Sequence, residues 1–455
     1  MNLDDTIVAI STPSGRSGIG VVRLSGPEAV KIAIPLLRLR RDLQPAHAIF
    51  GELIEPASGE RIDEVVVTYF QKPHSYTTDE LVEISAHGSP VVLRHIVELA
   101  MSAGARLAEP GEFTMRAFLN GRIDLTQAEA VRDLIDSQTL YQARVAAQQL
   151  EGAVSRRLQP VKQELVELIT LMEAGIDFAD DDVPVLASNI ILSRIAEVRE
   201  QLAAMLKSFA YGKLVHEGLM LAIVGRPNVG KSSLFNRLVE RERAIVTATP
   251  GTTRDLVSET VAIGGIPVKL VDTAGIRNAL DEAEAIGVRK SMEVLADADM
   301  VLVVVDASQP HEQAEDRELL QQITERRAIL VENKADLALA SADPTIAMNG
   351  IKHVRTSALT GVGIAELREE ILREIGGENG AQTETAFLTN LRQASLVEGA
   401  VKALDAAKVS TENLVPHEMI LLDLHNALQS LDEITGATTA DDILNLIFGT
   451  FCIGK

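Results

Sequence analysis

Several residue types that mark common protein classes are rare in this chain of 455 residues. It contains no Trp, and aromatic residues make up 3% of it, so a platform for stacking nucleic-acid bases is not expected. Its one cysteine, Cys452, excludes an intramolecular disulfide, and its nine His show no zinc-ligand spacing with paired Cys. The composition therefore excludes disulfide-stapled secreted domains and zinc-finger modules.

Long apolar runs and excess positive charge are also missing. No apolar stretch approaches the roughly 18 residues of a membrane helix, and the first residues resemble neither a signal peptide nor a transit peptide. The net charge of −22 argues against a protein that coats nucleic acid, because phosphate binding needs clustered Lys and Arg. We therefore expect a cytoplasmic protein without integral membrane contact, in which any RNA contact is local or shared with a partner.

The clearest feature that is present is a phosphate-binding pattern. The apolar run Leu219 to Val224 predicts a buried strand, and G-x-x-x-x-G-K-S follows it from Gly225 to Ser232. Glycines at both ends let the backbone N–H groups face phosphate oxygens, and a helix that starts near Lys231 adds its positive end. Lys231 would reach the β- and γ-phosphates, and the Ser232 hydroxyl would bind Mg²⁺.

Further motifs follow in the order that a GTPase requires. Asp272 ends an apolar strand near the expected Mg²⁺, and Asp336 can accept from guanine N1–H and N2, donors that adenine lacks there. A backbone N–H near Ala358 could meet guanine O6, and a Thr-rich segment before Asp272 fits a switch. The predicted GTP-binding residues are Asn228, Val229, Gly230, Lys231, Ser232, Ser233, Thr247, Ala248, Thr249, Pro250, Gly251, Thr252, Thr253, Asp272, Thr273, Ala274, Gly275, Asn333, Lys334, Ala335, Asp336, Ser357, Ala358 and Leu359.

A catalytic residue found in Ras-like GTPases is absent. Those proteins carry a water-orienting Gln directly after the D-T-A-G motif, and Ile276 occupies that position here. An apolar side chain cannot orient water, so catalytic help must come from elsewhere. The candidates are Arg254, Arg277, Asp281, Glu282 and Glu284. The alternative interpretation for each is a solvated acidic turn without a catalytic role.

The segments outside the nucleotide-binding region differ in their patterning. Short apolar runs between Asp5 and Leu119 predict strands, with helices over Pro27 to Leu37 and Pro90 to Met101. From Asp124 the pattern predicts long helix, interrupted near Pro160.

The remaining segments complete the predicted architecture. A helix over Ser188 to Phe209 precedes the nucleotide-binding region, where strands and helices alternate as in a doubly wound parallel sheet. We predict a multidomain fold with an N-terminal α+β domain over residues 1–119, an all-α domain in two parts over 120–216 and 379–455, and an inserted α/β Ras-like P-loop domain over 217–378.

Two groups of segments indicate the protein family. GRPNVGKSSLFN and TPGTTRD are similar to the GTPase group of Era and Der. The start TIVAISTPSGRSGIGVVRLSG, the segment GEFTMRAFLNGRIDLTQAEAVRDLIDS and the terminal CIGK resemble the MnmE (TrmE) family of tRNA modification GTPases over essentially the full length. An Era- or Der-like switch in ribosome assembly is the alternative function, although the acidic charge does not favour it.

The MnmE resemblance implies a reaction and partners. Family members act with an FAD-containing partner, MnmG, and install aminomethyl or carboxymethylaminomethyl groups at C5 of the wobble uridine of certain tRNAs. Their N-terminal domain binds a tetrahydrofolate derivative (5-formyl or 5,10-methylene) that supplies one carbon, and it also forms the homodimer. A heterotetramer with the partner, and approach of the nucleotide domains on binding K⁺ and GTP, are further implications.

The resemblance also assigns residues by position. It implies K⁺ ligands at Asn228, Thr247, Thr249 and Thr252, Mg²⁺ hydroxyls at Ser232 and Thr253, and an acid at Glu284 that orients the attacking water. The implied folate residues are Arg23, Glu83, Arg122 and Lys455.

Two points of the resemblance concern single positions. Family members usually have Gly-Glu-Asp where Thr78-Asp79-Glu80 stands here. Cys452 allows two interpretations: a small packed hydrophobe after an apolar helix, or a catalytic thiol in a mobile tail near the folate site.

Overall fold

A computed structural model describes residues 4–177, 186–240, 258–272, 297–309, 326–337, 351–376, 388–438, 444 and 447–454. The chain divides into two compact units. The first unit comprises Met1–Arg132, Leu150–Ser155 and Asp432–Lys455, and the second comprises Asp133–Gln149 and Arg156–Leu431. None of the helices in the described ranges combines the length and apolar character needed to cross a bilayer.

The first unit is built on a mixed sheet. Its described strands are β1 (Ile7–Ile10), β2 (Ser17–Ser25), β3 (Leu37–Leu39), β4 (Ala48–Ile54), β5 (Arg61–Phe70), β6 (Leu81–Gly88) and β7 (Arg106–Leu107). They are hydrogen-bonded in the order β3-β4-β5-β6-β2-β1-β7. Alternating residues such as Val22, Leu24, Val65, Val67 and Ile84 turn to one face, where they form a buried core.

Two helices cover that face of the sheet. They are α1 (Ala29–Ala33) and α2 (Pro90–Ser102), and their apolar residues belong to the same core. The predicted helix over Pro90 to Met101 is confirmed. The prediction of helix over Pro27 to Leu37 is wrong in its second half, because residues 34–36 form a 3₁₀ turn and Leu37 begins β3, where its backbone pairs with β4.

The helical segment after Asp124 is interrupted at other places than predicted. Helix α3 (Glu112–Leu119) precedes this segment, which itself forms α4 (Leu125–Asp136), α5 (Leu140–Leu150) and α6 (Ala153–Asp177). Pro160 therefore lies inside a helix. A proline within a helix costs about 3 kcal/mol. Burial of the apolar side of α6 offsets this cost, since Leu158, Val161, Leu165 and Leu168 are all buried.

The helix before the nucleotide-binding region is longer than predicted. It is α7 (Ser188–Glu217), and Gly218 separates it from the first strand of the second sheet. Later in the chain, α10 (Leu391–Glu412) packs along α7, where Arg199 Nε donates to Asp405 Oδ1 at 2.5 Å. A further helix, α11 (His417–Thr435), follows α10.

The sheet of the second unit carries the nucleotide motifs. Its described strands are β8 (Leu219–Val224), β9 (Ser258–Ile263), β10 (Ile266–Asp272), β11 (Met300–Asp306), β12 (Ala328–Asn333) and β13 (Lys352–Arg355), in the order β13-β12-β11-β8-β10-β9. The neighbours from β13 to β10 pair in parallel, so their carboxyl ends share one edge. Two helices, α8 (Lys231–Val239) and α9 (Ile364–Gly376), contribute to its core.

One edge of this sheet departs from the predicted parallel arrangement. Strand β9 is antiparallel to β10 and joins it through Gly264 and Gly265, whose φ angles are +58° and +85°. Two consecutive residues with positive φ fit a tight hairpin turn, which is the local reason for the reversal. The turn lies against α5, because Thr139 Oγ1 donates to Gly265 O at 2.6 Å.

Candidate functional site

The phosphate loop has the backbone that its glycines predict. Gly225 has a φ of +150°, and an added Cβ would lie 2.2 Å from Val304 O. Gly230 has a φ of +97°, and its Cβ would lie 2.2 Å from Asn333 Nδ2. Only glycine fits these two positions, because both the φ values and the close neighbours exclude a side chain.

Helix α8 begins at the end of this loop, as predicted. Lys231 is 7% exposed, and its Nζ donates to Gly225 O at 2.8 Å and to Arg226 O at 2.7 Å. The ammonium group therefore lies inside the curve of the loop, beside the first N–H groups of the helix. Asn228 is exposed and has a φ of +64°. This arrangement combines a cation, backbone donors and a helix N-terminus, which together suit a polyphosphate.

The motifs predicted to read guanine meet at the carboxyl ends of β12 and β13. Asn333 Nδ2 donates to Val229 O at 3.0 Å, and its Oδ1 accepts from Ala358 N at 3.0 Å. Ser357 Oγ donates to Asp336 Oδ1 at 2.5 Å. Asn333 thus links the phosphate loop to the Ser357–Leu359 loop, although the two lie more than a hundred residues apart in the chain.

Asp306, at the end of β11, is a site residue that sequence reasoning missed. Its side chain is 3% exposed, and it accepts from Lys334 Nζ at 2.6 Å and from Ser308 Oγ at 2.6 Å. Burial raises the pKa of Asp306, but the hydrogen bonds from Lys334 and Ser308 outweigh burial, so the pKa lies below its usual value. The position of an acid directly after the strand MVLVVV was the available signal.

Ser232 and Ser233 lie exposed in the first turn of α8, and Ala335 N donates to Thr356 O at 3.0 Å. The other predicted nucleotide and ion residues lie outside the described ranges, except that the backbone of Asp272 is described as the last residue of β10. The undescribed residues are Thr247, Ala248, Thr249, Pro250, Gly251, Thr252, Thr253, Thr273, Ala274, Gly275 and Glu284. Lys455 also lies outside the described ranges. Among the described residues, no group of three or more His, Cys, Asp or Glu is arranged to hold a metal ion.

A second candidate site is a cavity of about 600 Å³ in the first unit. Glu83 and Arg122, two of the predicted folate residues, both line it, together with Tyr76 and Ser75. Arg122 Nη1 donates to Tyr76 O at 2.6 Å, and its guanidinium carbon lies 5.0 Å from the centre of the Tyr76 ring. The buried Ser75 hydroxyl has no hydrogen-bond partner among the described residues.

Arg23 connects this cavity to the C-terminal tail. Its Nε and Nη2 donate to Glu83 Oε1 at 2.9 and 2.8 Å, and its guanidinium lies 5.5 Å from the Tyr76 ring centre. The same guanidinium donates from Nη1 to Gly454 O at 3.5 Å. Two of the four predicted folate residues therefore line the cavity, and a third, Arg23, contacts its lining residues and the tail.

The tail itself is held by backbone contacts. Ile453 pairs with Pro110, and an added Cβ on Gly454 would lie 2.3 Å from Ile10 O. Phe451 is buried, whereas Cys452 is exposed. The interpretation of Cys452 as a packed hydrophobe is therefore wrong, and the thiol is accessible to solvent.

The departure at Thr78 has a visible backbone consequence. Thr78 has a φ of +64°, a conformation that glycine adopts easily and a β-branched residue rarely does. Asn120 Nδ2 donates to the neighbouring Thr77 O at 2.6 Å. The left-handed backbone expected of Gly is thus kept here with Thr in its place.

Comparison with known proteins decides the family. Residues 125–452 match the family described as MnmE helical domain, and residues 6–122 match GTP-binding protein TrmE N-terminus. The tRNA modification GTPase MnmE of Koribacter versatilis is 67% identical over 460 residues, covering 100% of both chains. The chain belongs to the MnmE family of tRNA modification GTPases. The MnmE protein of Aquifex aeolicus is 45% identical over 452 residues, covering 99% of this chain and 100% of that one.

Membership of the MnmE family confirms three predictions made above. The family resemblance is correct, and so is the multidomain fold with an α+β N-terminal domain, an all-α domain and a P-loop GTPase domain. The chain is also a GTP-hydrolysing enzyme of tRNA modification, as the family name states. The individual site residues and domain boundaries stay predictions.

Proposed function

We propose that this MnmE-family GTPase couples potassium-assisted GTP hydrolysis to a group transfer at C5 of the wobble uridine of certain tRNAs. The group is aminomethyl or carboxymethylaminomethyl, and the FAD-containing MnmG-type partner takes part. One observation carries the proposal: the same chain contains two sites. The first is the phosphate loop, which Asn333 links to the Ser357–Leu359 loop, called here the guanine-reading loop. The second is the cavity of the first unit, where Arg23 contacts both the lining residue Glu83 and the Cys-containing tail.

In the nucleotide site, each predicted residue has a proposed task. The loop from Gly225 to Gly230 and the Lys231 ammonium hold the β- and γ-phosphates, and Ser232 with Thr253 supplies hydroxyls for Mg²⁺. Asp336 reads the guanine N1–H and N2 donors, while Asn333 joins the two halves of the site. The close neighbours of Gly225 and Gly230 support this fit, because they restrict both ends of the loop to glycine and so to a tight backbone turn.

Potassium dependence is a direct test of the ion proposal. Asn228 in the phosphate loop, together with Thr247, Thr249 and Thr252, is proposed to bind K⁺ beside the phosphates. The bound K⁺ would then replace an arginine finger. An arginine finger contributes roughly 10³ to 10⁵ in rate, so hydrolysis in KCl should exceed that in NaCl by at least about tenfold. The measurement is the GTP hydrolysis rate at equal ionic strength. Asn228→Ala should remove the difference, and equal wild-type rates in both salts would contradict the proposal.

The cavity of the first unit fits a tetrahydrofolate derivative, which when bound supplies the one-carbon unit. Arg122 and Arg23 offer positive charge to carboxylates, and Glu83 offers an acceptor to the N–H groups of the pterin. Lys455 is proposed as a further cation. The Ser75 hydroxyl, buried and without a partner among the described residues, supports a polar ligand in this cavity.

The tail is proposed to act on the cavity through Cys452. Its thiol is exposed, and the neighbouring Gly454 carbonyl contacts Arg23. A solvent-accessible thiol can act as a nucleophile. In the nucleotide site, Glu284 is proposed to orient the attacking water.

The first unit is also proposed to form the homodimer. Phe50 and Val66 are direct cross-strand partners on β4 and β5, and they are 50% and 39% exposed on the sheet face opposite the helices. Such an apolar face supports contact with a second copy. A heterotetramer with the FAD-containing partner, binding of tRNA and a cytoplasmic location complete the proposal.

Displacing the tail tests the function as a whole. Gly454→Ala adds a Cβ 2.3 Å from Ile10 O at a φ of +97°, a strain of about 2 kcal/mol or more that should unseat the tail. We expect the wobble-uridine modification to fall at least about tenfold while GTP hydrolysis is retained. Cys452→Ser should cause the same loss if the thiol is required. The measurement is mass spectrometry of nucleosides from total tRNA of cells that lack the protein and carry each variant.

The matched control is Gly104→Ala in the same unit. Gly104 also has a positive φ, +110°, but a Cβ there would meet nothing within 4 Å, so modification should stay near wild type. Full modification with Gly454→Ala would contradict a role for the tail. Unchanged nucleosides in cells that lack the protein and any redundant enzyme would contradict the tRNA function and favour a ribosome-linked switch.

A further inference from the structure

Helix α8 follows the phosphate loop, and one of its side chains, Arg237, contacts the guanine-reading loop Ser357–Leu359. Arg237 lies in the last turn of α8, and it donates from Nε to Ala358 O at 2.9 Å and from Nη2 to Leu359 O at 2.6 Å. Its remaining terminal nitrogen, Nη1, pairs with Glu240 Oε2 at 3.0 Å. Two of the three guanidinium nitrogens therefore hold successive carbonyl groups of one loop.

These two hydrogen bonds set the direction of the loop N–H groups. A peptide unit is planar and trans, so a carbonyl oxygen and the N–H of the next residue point in opposite directions. Holding Ala358 O on Arg237 therefore turns the N–H of Leu359 away from α8. Holding Leu359 O turns the N–H of Thr360 in the same way, and that group donates to Ser357 Oγ at 3.1 Å.

The opposite side of the loop is held by the residues proposed to read the base. Ala358 N donates to Asn333, and Ser357 donates to Asp336. Leu359 is 78% exposed, so its side chain adds little packing that could hold the loop. Backbone hydrogen bonds from Ser357 N to Val362 O and from Gly361 N to Ser357 O close the loop, and Arg237 adds the two bonds to its carbonyls. The planar guanidinium suits this task because it presents several donors in a rigid fork.

We propose that Arg237 is a positioning residue for guanine recognition, which orients the Ser357–Leu359 backbone so that one of its N–H groups meets guanine O6. The inference rests on the proposed GTP site. Arg237 acts through the loop and not by touching the nucleotide. Its contribution is therefore confined to bases that carry an acceptor at position 6, and it affects binding rather than the chemistry at the γ-phosphate.

Binding affinities for three nucleotides distinguish this role from a general loss of structure. GTP and ITP both carry O6, while 6-thio-GTP keeps the N1–H and N2 donors that Asp336 reads and has sulfur, a weaker acceptor, in place of O6. In the full chain, Arg237→Ala should weaken GTP and ITP by similar factors of about tenfold, the loss of roughly one hydrogen bond. The affinity for 6-thio-GTP should fall by a clearly smaller factor, and kcat for GTP should stay within about twofold of wild type.

Two further variants complete the experiment. Arg237→Lys can meet only one carbonyl, so it should lose an intermediate fraction of GTP affinity. Arg368→Ala is the matched control, because Arg368 Nη2 donates to Leu238 O at 2.9 Å, a carbonyl of the same helix α8. Its nucleotide affinities should stay near those of wild type.

The outcomes distinguish the inference from the function beneath it. Equal loss of all three nucleotides, or no loss at all, would overturn the role of Arg237 while wild type still binds GTP. A wild-type chain that binds none of the three would instead count against the GTP site itself.

Discussion

Asp336→Asn is expected to exchange the preference for guanine with a preference for xanthine. The carboxylate that accepts from guanine N1–H and N2 becomes an amide whose NH₂ can donate to the O2 of xanthine. Ser357 Oγ, 2.5 Å from Asp336 Oδ1, can still donate to the amide oxygen and so turn the NH₂ toward the base. Loss of two charge-assisted hydrogen bonds should lower GTP affinity by roughly 10² to 10⁴. Binding and hydrolysis of GTP and XTP measure the exchange.

A second aspartate of the same unit provides the control. Asp299 Oδ2 accepts from Met220 N at 2.8 Å, at the amino end of strand β8, and the nucleotide motifs follow the carboxyl ends. Asp299→Asn should leave the ratio of GTP to XTP affinity unchanged. If Asp336→Asn retains GTP affinity and gains none for XTP, Asp336 does not read the base.

Glu112→Gln is expected to destabilise the first unit by roughly 3–5 kcal/mol. Glu112 and Arg116 are both fully buried, and Arg116 Nη2 lies 2.9 Å from Glu112 Oε1. Arg106 Nη2 also donates to Glu112 Oε1, at 2.6 Å, and both arginines bind Asp5. Removing the Glu112 charge leaves buried guanidinium charge poorly compensated. Hydrogen exchange of peptides from β1 and β2 measures the change in the free energy of opening of this unit alone.

The pH dependence of this effect has a definite sign. Burial raises the pKa of Glu112, but hydrogen bonds from Arg106, Glu109 N–H and Arg116 outweigh it, so the pKa lies below its usual 4.5. A lowered carboxyl pKa stabilises the folded state above the unfolded pKa, and the stabilisation is lost as the pH falls below it. The difference between wild type and Glu112→Gln should therefore be complete at neutral pH and shrink in acid.

An exposed ion pair of the same unit serves as the comparison. Glu28 pairs with Lys31 across one helical turn, and the two side chains are 51% and 81% exposed. Glu28→Gln should change the free energy of opening by no more than about 0.5 kcal/mol. A loss below about 1 kcal/mol for Glu112→Gln would mean that the buried network contributes little beyond an apolar core.

Local patterns carried much of the fold. The β4, β5 and β6 strands and helix α2 follow from alternation and from three-and-four spacing, since burial of one face decides each of them. The hairpin of β9 and β10 also has a local signal, the pair Gly264-Gly265. The predicted interruption at Pro160 is wrong, because the sequence shows only the local cost of a proline inside a helix. The burial of Leu165 and its neighbours, which offsets that cost, depends on the other helices.

The candidate sites divide in the same way. The phosphate loop and the Asn333–Asp336 motif were readable because their function depends on short spacings within the chain. For Asp306 the local signal was only an acid at the end of an apolar strand, because its partner Lys334 lies 28 residues away in the sequence. Arg237 had no such signal, because its partners lie more than a hundred residues away. Tyr76 and Ser75 likewise became site residues only through the cavity that they line.

The order and chemistry of the motifs follow from the residues of the chain alone, because a phosphate loop and a guanine-reading motif are local structures. These motifs in turn indicated the family and its GTPase activity. Folding alone decided which of these residues meet. It brought the exposed Cys452 tail to Arg23 and aligned Arg237 with the carbonyls of Ala358 and Leu359. The physical reason is that such contacts join distant segments, so their geometry depends on how whole strands and helices pack rather than on neighbouring residues.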